Sequence, residues 1–327
     1  MVKSYRLNII GLLVCVAAFC GCANTPEVQV SARECASMPD GGRAAACATA
    51  LNGKAYVFAG RDSVGRNRND LWSYDAAGDT WTHLGITPLK KRVNACMIAY
   101  DDALYMGLGF NGKVYVDSCY LRDWWRYTPA SGKWERLADY PNRNSVGAIL
   151  AAKDGQIYAY YGCGHFMQQE VYRYEIAENR WDAMPATGER NPSAFGCAGA
   201  QLNGFMYFGT GFDARNLTMW HSASIGENHW QRLASLPGKG REFAVCAASN
   251  EYVYLFGGRY FGGDMTGGEV FESYMRYSPD NNQWEWCGTM PCGRAENQIA
   301  FTINGNVYFG LGEDENKHVI DKIYCIE

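Results

Sequence analysis

The chain has 327 residues, a formal net charge of −4 and a pI near 5.8. No basic tract and no stripe of alternating basic and aromatic residues occurs, which argues against nucleic acid as a partner. Its 22 Tyr, 10 Trp and 37 Gly, with almost no stretch of helical hydrophobic period, point to an all-β domain large enough for a sizeable core.

Residues 1–22 have the features of an export signal. Lys3 and Arg6 give a positive start, and Leu7 to Phe19 form an apolar stretch too short to span a bilayer. It ends in Phe19-Cys20-Gly21-Cys22, which resembles a bacterial lipobox with Cys22 as the residue to be lipidated. An ordinary secretory signal cut nearby is the alternative. Residues 23–31 are expected to be a short linker and residues 32–327 a single domain. On this reading the protein belongs to the cell envelope, on the periplasmic side of the outer membrane or at the surface. It would meet the membrane only through its lipid anchor.

The domain carries a six-fold echo, Tyr-x-x-x-Gly, beginning at Tyr56, Tyr105, Tyr158, Tyr207, Tyr254 and Tyr308. The period, 47 to 54 residues, belongs to radial β arrays rather than helical solenoids. Trp81, Trp134, Trp181, Trp230 and Trp284 follow the first five units. In four repeats an aromatic stands seven residues before the tryptophan: Tyr74, Tyr127, Tyr174 and Tyr277; the fourth repeat has Ala223 there. Turn formers such as DAAGD and SPDNNQ lie between the two aromatics, so each pair predicts a hairpin of fixed register. A repeat is therefore four short strands: a small-residue strand, the Tyr-x-x-x-Gly strand, and this hairpin. Six such sheets stacked about an axis bury both faces of each, with the tryptophans packed between blades.

The sixth repeat ends at Glu327 without a tryptophan strand. Residues 32–39 (ARECASMP) align with WEWCGTMP at 284–291, so the N-terminal strand is expected to complete the last blade and close the ring. These repeats, with their small-residue-Pro ends, resemble the kelch repeat family of β-propellers. The texture of YLRDWWRYTPASGKWERLADYP resembles envelope kelch lipoproteins of Bacteroidetes-type bacteria and, more distantly, the sialic-acid mutarotase kelch proteins. The resemblance implies a six-bladed propeller and leaves the function open, since the fold hosts many.

Cys47, Cys96, Cys197 and Cys246 fall in the innermost strands, where cysteine packs as a small hydrophobe. No cysteine or histidine spacing indicates a metal, and no cofactor is expected. Candidate site residues come from loops that reach one face. Arg43, Arg92, Arg143, Arg190, Arg241 and Arg294 supply one arginine per blade, 13 to 17 residues before each tyrosine. Such a ring suits carboxylates or polyhydroxylated ligands. The competing reading is that these arginines cap carbonyls or pair with acids inside each blade. Segments after the Tyr-x-x-x-Gly units add Arg61, Phe110, His165, Asp213, Arg259 and Tyr260, aromatics beside polar groups, as sugar recognition uses. The long inserts of repeats two and five add Tyr115, Tyr120, Trp124 and Phe261.

Three functions follow. The first is a monomeric, non-catalytic envelope module binding a carbohydrate or a protein partner at this face. The second, implied by the mutarotase resemblance, is an epimerase with Glu242 and Glu296 as acid and base beside carboxylate-holding arginines. The third is a galactose-oxidase-like copper enzyme, which His83, His221 and His229 disfavour because they fall in outer strands or their hairpins.

Overall fold

The computed structural model describes residues 25–112, 116–143, 145–160, 162–163, 170–185, 194–262 and 268–327. Among them are six four-stranded antiparallel sheets. Blade one runs outward from the axis through Cys47–Leu51, Lys54–Phe58, Asp70–Asp75 and Thr80–Ile86. The innermost strands of the next five blades are Cys96–Tyr100, Ile149–Lys153, Ala198–Leu202, Val245–Ala248 and Ile299–Ile303. Blade six closes as expected: Ala32–Glu34 pairs antiparallel with Ile323–Ile326, with Ala32 opposite Ile326. A first and a last segment are thus zipped together, and neither edge is left open.

The seven-residue spacing has a direct cause. Tyr74 faces Trp81, Tyr127 faces Trp134, Tyr174 faces Trp181 and Tyr277 faces Trp284 across their hairpins. In blades one, three and five the pair also clips the preceding blade. The Trp81, Trp181 and Trp284 indoles donate to the carbonyls of Ala36, Ala138 and Ala234 at 2.8, 3.1 and 3.0 Å. The same three alanines donate their amides to Asp79, Asn179 and Asn282 in the hairpin turn. Those turn oxygens also accept from Tyr74, Tyr174 and Tyr277. Asn282→Ala would leave the Ala234 amide and the Tyr277 hydroxyl without their acceptor. We expect a loss of about 2 kcal/mol in a urea titration, with binding at the far face unchanged.

Trp124, expected in a long binding loop, instead opens the third strand of blade two, Trp124–Thr128, and is wholly buried. The span expected as a linker is docked from Pro26 onward. Val28 donates to Trp286, and Trp286 donates to Pro26, so this segment runs parallel to the outermost strand of blade five. Val28 and Val30 pack on the core between blades five and six. The innermost cysteines take the packing role: burial pushes the Cys96 thiol to about 12, and it donates to Ala148 at 3.1 Å. Among the described residues no helix is long and apolar enough to cross a membrane.

Candidate active site at the propeller mouth

Every blade carries one further bridge just above its two inner strands. The residue after each Tyr-x-x-x-Gly glycine pairs with a residue ahead of the innermost strand. The pairs are Ala44 with Arg61, Val93 with Phe110, Val146 with Cys163, Phe195 with Phe212, Glu242 with Arg259, and Glu296 with Glu313. Seven of these twelve residues line the mouth cavity, while Ala44, Phe212, Glu242, Arg259 and Glu296 do not, and the polarity of the twelve is segregated. Blades two, three and four contribute an apolar arc, while blades five, six and one contribute a charged one.

Beneath the ring the chain turns through six left-handed residues: Ala45, Asn94, Gly147, Gly196, Phe243 and Asn297. Their backbones link blade to blade. Asn94 donates to Ala45, Ala45 to Asn297, Asn297 to Phe243, Phe243 to Gly196, and Gly147 to Asn94. This girdle separates a mouth cavity of about 790 Å3 from the central channel of about 470 Å3, leaving a narrow space of about 100 Å3.

The charged arc is dense. Glu313, almost wholly buried, accepts from Arg61 at 2.5 Å and from Asn297 at 3.1 Å, and Lys317 stands 3.3 Å away. Lys317 also donates to Glu296. Glu296 is 1% exposed, and its Oε2 has no hydrogen-bond partner among the described residues. Arg259 lies between two acids, its Nε 3.3 Å from Glu242 and its Nη1 3.9 Å from Glu296. The Nε contact is an ion pair without hydrogen-bond alignment. Burial raises the Glu242 carboxyl to about 7, and the Glu296 charge adds to that rise, while Arg259 and Lys317 oppose it. A carboxyl that holds its proton about half the time near neutral pH is suited to acid–base work. Arg61, Asn297, Glu313, Lys317 and Phe243 line the cavity, and Glu242 and Glu296 stand immediately behind that wall.

A family profile described as the KLHDC2/KLHL20/DRC7 Kelch-repeats domain matches residues 21–211. The chain belongs to the kelch-repeat family. Similar curated kelch relatives carry the name N-acetylneuraminate epimerase. That of Haemophilus influenzae (strain 86-028NP) is 27% identical over 216 residues, covering 63% of this chain and 48% of that protein. That of Yersinia enterocolitica serotype O:8 is 25% identical over 228 residues, covering 64% and 51%. That of Salmonella typhi is 28% identical over 135 residues, covering 41% and 34%. The chain thus spans between a third and a half of the relatives it matches. A solved structure titled "Structure of YjhT" superposes with a TM-score of 0.74 over 89% of this chain and 99% of that one, at 14% identity, which shows a shared fold.

In this kelch propeller the arginine series does not form the expected ring. Arg43 is fully buried between blades, held by Asp70 and Asp40 at 2.7 Å each. Arg92 is fully buried, forked onto Asp123 at 2.8 and 2.9 Å. Arg241 donates to the Gly257 carbonyl at 3.0 Å and lies 4.1 Å over the Phe271 ring. The cause is strand alternation. Each of these arginines immediately precedes a residue of the bridge ring (Ala44, Val93 or Glu242), so its side chain points the opposite way, into the blade seam. Blade six has Ala295 at that place, wholly buried, and Arg294, one residue earlier, ends on the surface near Glu315 at 3.3 Å. Arg143 is exposed and donates to the Asp117 carbonyl. None of these five lines the mouth cavity.

Arg61 and Phe110 do line it, and Arg259 backs it. Asp213 closes its own turn, its amide donating to the Arg215 carbonyl at 3.0 Å. Tyr260 lies in a short ribbon, Arg259–Tyr260 with Glu269–Val270, under Lys239. Arg190, His165, Tyr115 and Cys22 lie outside the described residues. His221 is buried in a third strand of blade four, and burial lowers it to about 4. Sequence reasoning missed Lys317, Asn297, Phe195 and Phe243. The available signal was position for three of them: Asn297 adjoins Glu296, Phe243 adjoins Glu242, and Lys317 stands four residues from Glu313, whereas Phe195 has no such neighbour.

Proposed function

We propose that this protein is a sugar mutarotase of the envelope, acting on an acidic sugar of the N-acetylneuraminate kind at the charged arc of the mouth. The observation that carries the reading is Glu242, which titrates near neutral pH and shares Arg259 with Glu296 directly behind the cavity wall. Anomer exchange needs a base to take the proton of the anomeric hydroxyl and an acid to give one to the ring oxygen. The ring C–O bond then breaks, the open chain rotates, and closure from the other face reverses both transfers. Two carboxyl groups supply both roles with no net proton change. Arg61 and Lys317 suit the substrate's carboxylate, and Lys317, being half exposed, can release Glu296 to receive it. The relatives' name supports the same reading.

A second reading, binding without catalysis of a carbohydrate or protein, is favoured by the seclusion of Glu242 and Glu296 behind the cavity wall. Proton NMR of freshly dissolved N-acetylneuraminate decides between them. Accelerated anomer exchange by the purified domain supports the mutarotase. Saturation transfer to the sugar without acceleration supports the binding module, and the absence of both rejects the sugar site.

Export and anchoring through Cys22 belong to the same proposal, on the strength of the Lys3–Arg6 start and the apolar stretch before the cysteine. Cys22→Ala is expected to move the protein from the membrane fraction to the soluble fraction; an unchanged distribution would remove the anchor.

A further inference from the structure

Phe243 occupies a place that its residue type does not favour. The six girdle positions have φ between 49° and 64°, a region open to glycine and asparagine and disfavoured for bulky side chains. Four of the six are Gly or Asn and one is Ala. Leu108 and Leu311 also show left-handed φ elsewhere, but both are wholly buried and held by core packing. Phe243 is only partly buried, and it lines both the mouth cavity and the narrow space beneath it. Strain kept at a half-open position, where packing does not demand it, is what a functional requirement leaves behind.

Its surroundings make room for the ring. A Cβ on Gly196 would stand 3.0 Å from the Phe243 amide nitrogen and 3.1 Å from its Cδ1, a tight approach that glycine avoids. The ring meets Phe195 edge to face, with centroids 5.0 Å apart. Phe243 follows Glu242 in the chain and donates its amide to Gly196. It therefore stands on the seam where the apolar arc of blade four meets the acidic pair of blade five.

We propose that Phe243 is the platform on which the ligand's sugar ring lies, with a run of ring C–H groups against the phenyl and the acidic end turned toward Arg61 and Lys317. The substrate class is then an acidic sugar with one continuous apolar face, and Phe243 is a specificity-determining contact rather than a core residue. This rests on the sugar-site reading above.

The test compares wild type, Phe243→Asn and Phe243→Leu by thermal melting without ligand and by calorimetric titration with N-acetylneuraminate. Asparagine accepts left-handed φ, so its Tm is expected to equal or exceed that of wild type while Kd weakens tenfold or more. Leucine keeps the bulk and the strain but not the flat ring; it is expected to lose affinity similarly with no gain in Tm. A Tm several degrees lower in Phe243→Asn with Kd unchanged overturns the proposal and makes the ring a packing partner of Phe195. If wild type does not bind the probe, the sugar reading fails by itself, and the melt alone decides. A preserved or higher Tm then keeps Phe243 as a cavity residue, and a lower one rejects it.

Discussion

Glu242→Gln is expected to lower catalysed anomer exchange by about 10²–10⁴-fold and, at pH 8, to make the protein more stable. Both effects come from the same buried carboxyl. Its folded-state value lies near 7, above the ordinary value of 4.5. Between those values the native state holds a proton that the unfolded chain has released, so stability declines as pH rises through this window. Below pH 4.5 there is no penalty, and above pH 7 it is complete, at most about 3 kcal/mol. Glutamine keeps an oxygen toward Arg259 and never ionises. The variant's Tm should therefore match wild type at pH 5 and exceed it by several degrees at pH 8. A scan of Tm and of exchange rate against pH checks both limbs. Equal Tm at both pH values would mean that Glu242 ionises as an ordinary carboxyl, leaving it no special proton to contribute.

The second large effect is on folding. Arg92→Ala is expected to cost about 3 kcal/mol, because it strands the partly buried Asp123 carboxylate and the buried Leu108 carbonyl. The Arg92 guanidinium satisfies the Leu108 and Lys90 carbonyls at 2.9 and 2.8 Å besides Asp123. Lysine at this position keeps the charge but not the fork, and should recover part of the loss. Arg294→Ala, by contrast, removes only exposed ion pairs and should fall within about 0.5 kcal/mol of wild type. Urea midpoints distinguish these outcomes. If Arg92→Ala weakened ligand binding and left the midpoint in place, the arginine would be a mouth residue after all.

Those arginines show where the sequence was legible and where it was not. The blade count, the hairpin register and the ring closure could be read because each rests on spacing. Tyr74 and Trp81 are seven residues apart, so a four-residue turn flanked by the Asp75–Thr80 pair sets them opposite each other. Ala32–Glu34 aligns with a strand whose place is fixed by its repeat. The direction of a side chain in a loop has no such constraint. Arg43, Arg92 and Arg241 sit one residue from positions that face the axis, and a single step along extended chain reverses the direction. The one-residue offset of Arg294 was visible, but its consequence, a surface side chain where the other blades hold a buried one, needed the fold.

Glu242 and Glu296, the candidate acid and base, each stand next to or near an arginine in the sequence; the structure sets both beside one guanidinium, and it is that of Arg259 rather than Arg241 or Arg294. Lys317 escaped notice because its contacts with Glu296 and Glu313 depend on a loop that folds back over the mouth. The division of the mouth into apolar and charged arcs was likewise hidden, because each of the twelve bridge residues comes from a different strand end and only the ring places them side by side.

In the proposed complex an acidic sugar binds at the mouth with its anomeric centre turned toward the wall that covers Glu242 and Glu296. A crystal structure of the domain with N-acetylneuraminate tests it most directly. The sugar ring is expected over Phe243, its carboxylate at Arg61 or Lys317, and its anomeric hydroxyl within hydrogen-bond reach of Glu242 or Glu296. A sugar seated at the opposite end of the channel, or at the mouth with its anomeric centre turned toward the apolar arc, would contradict it.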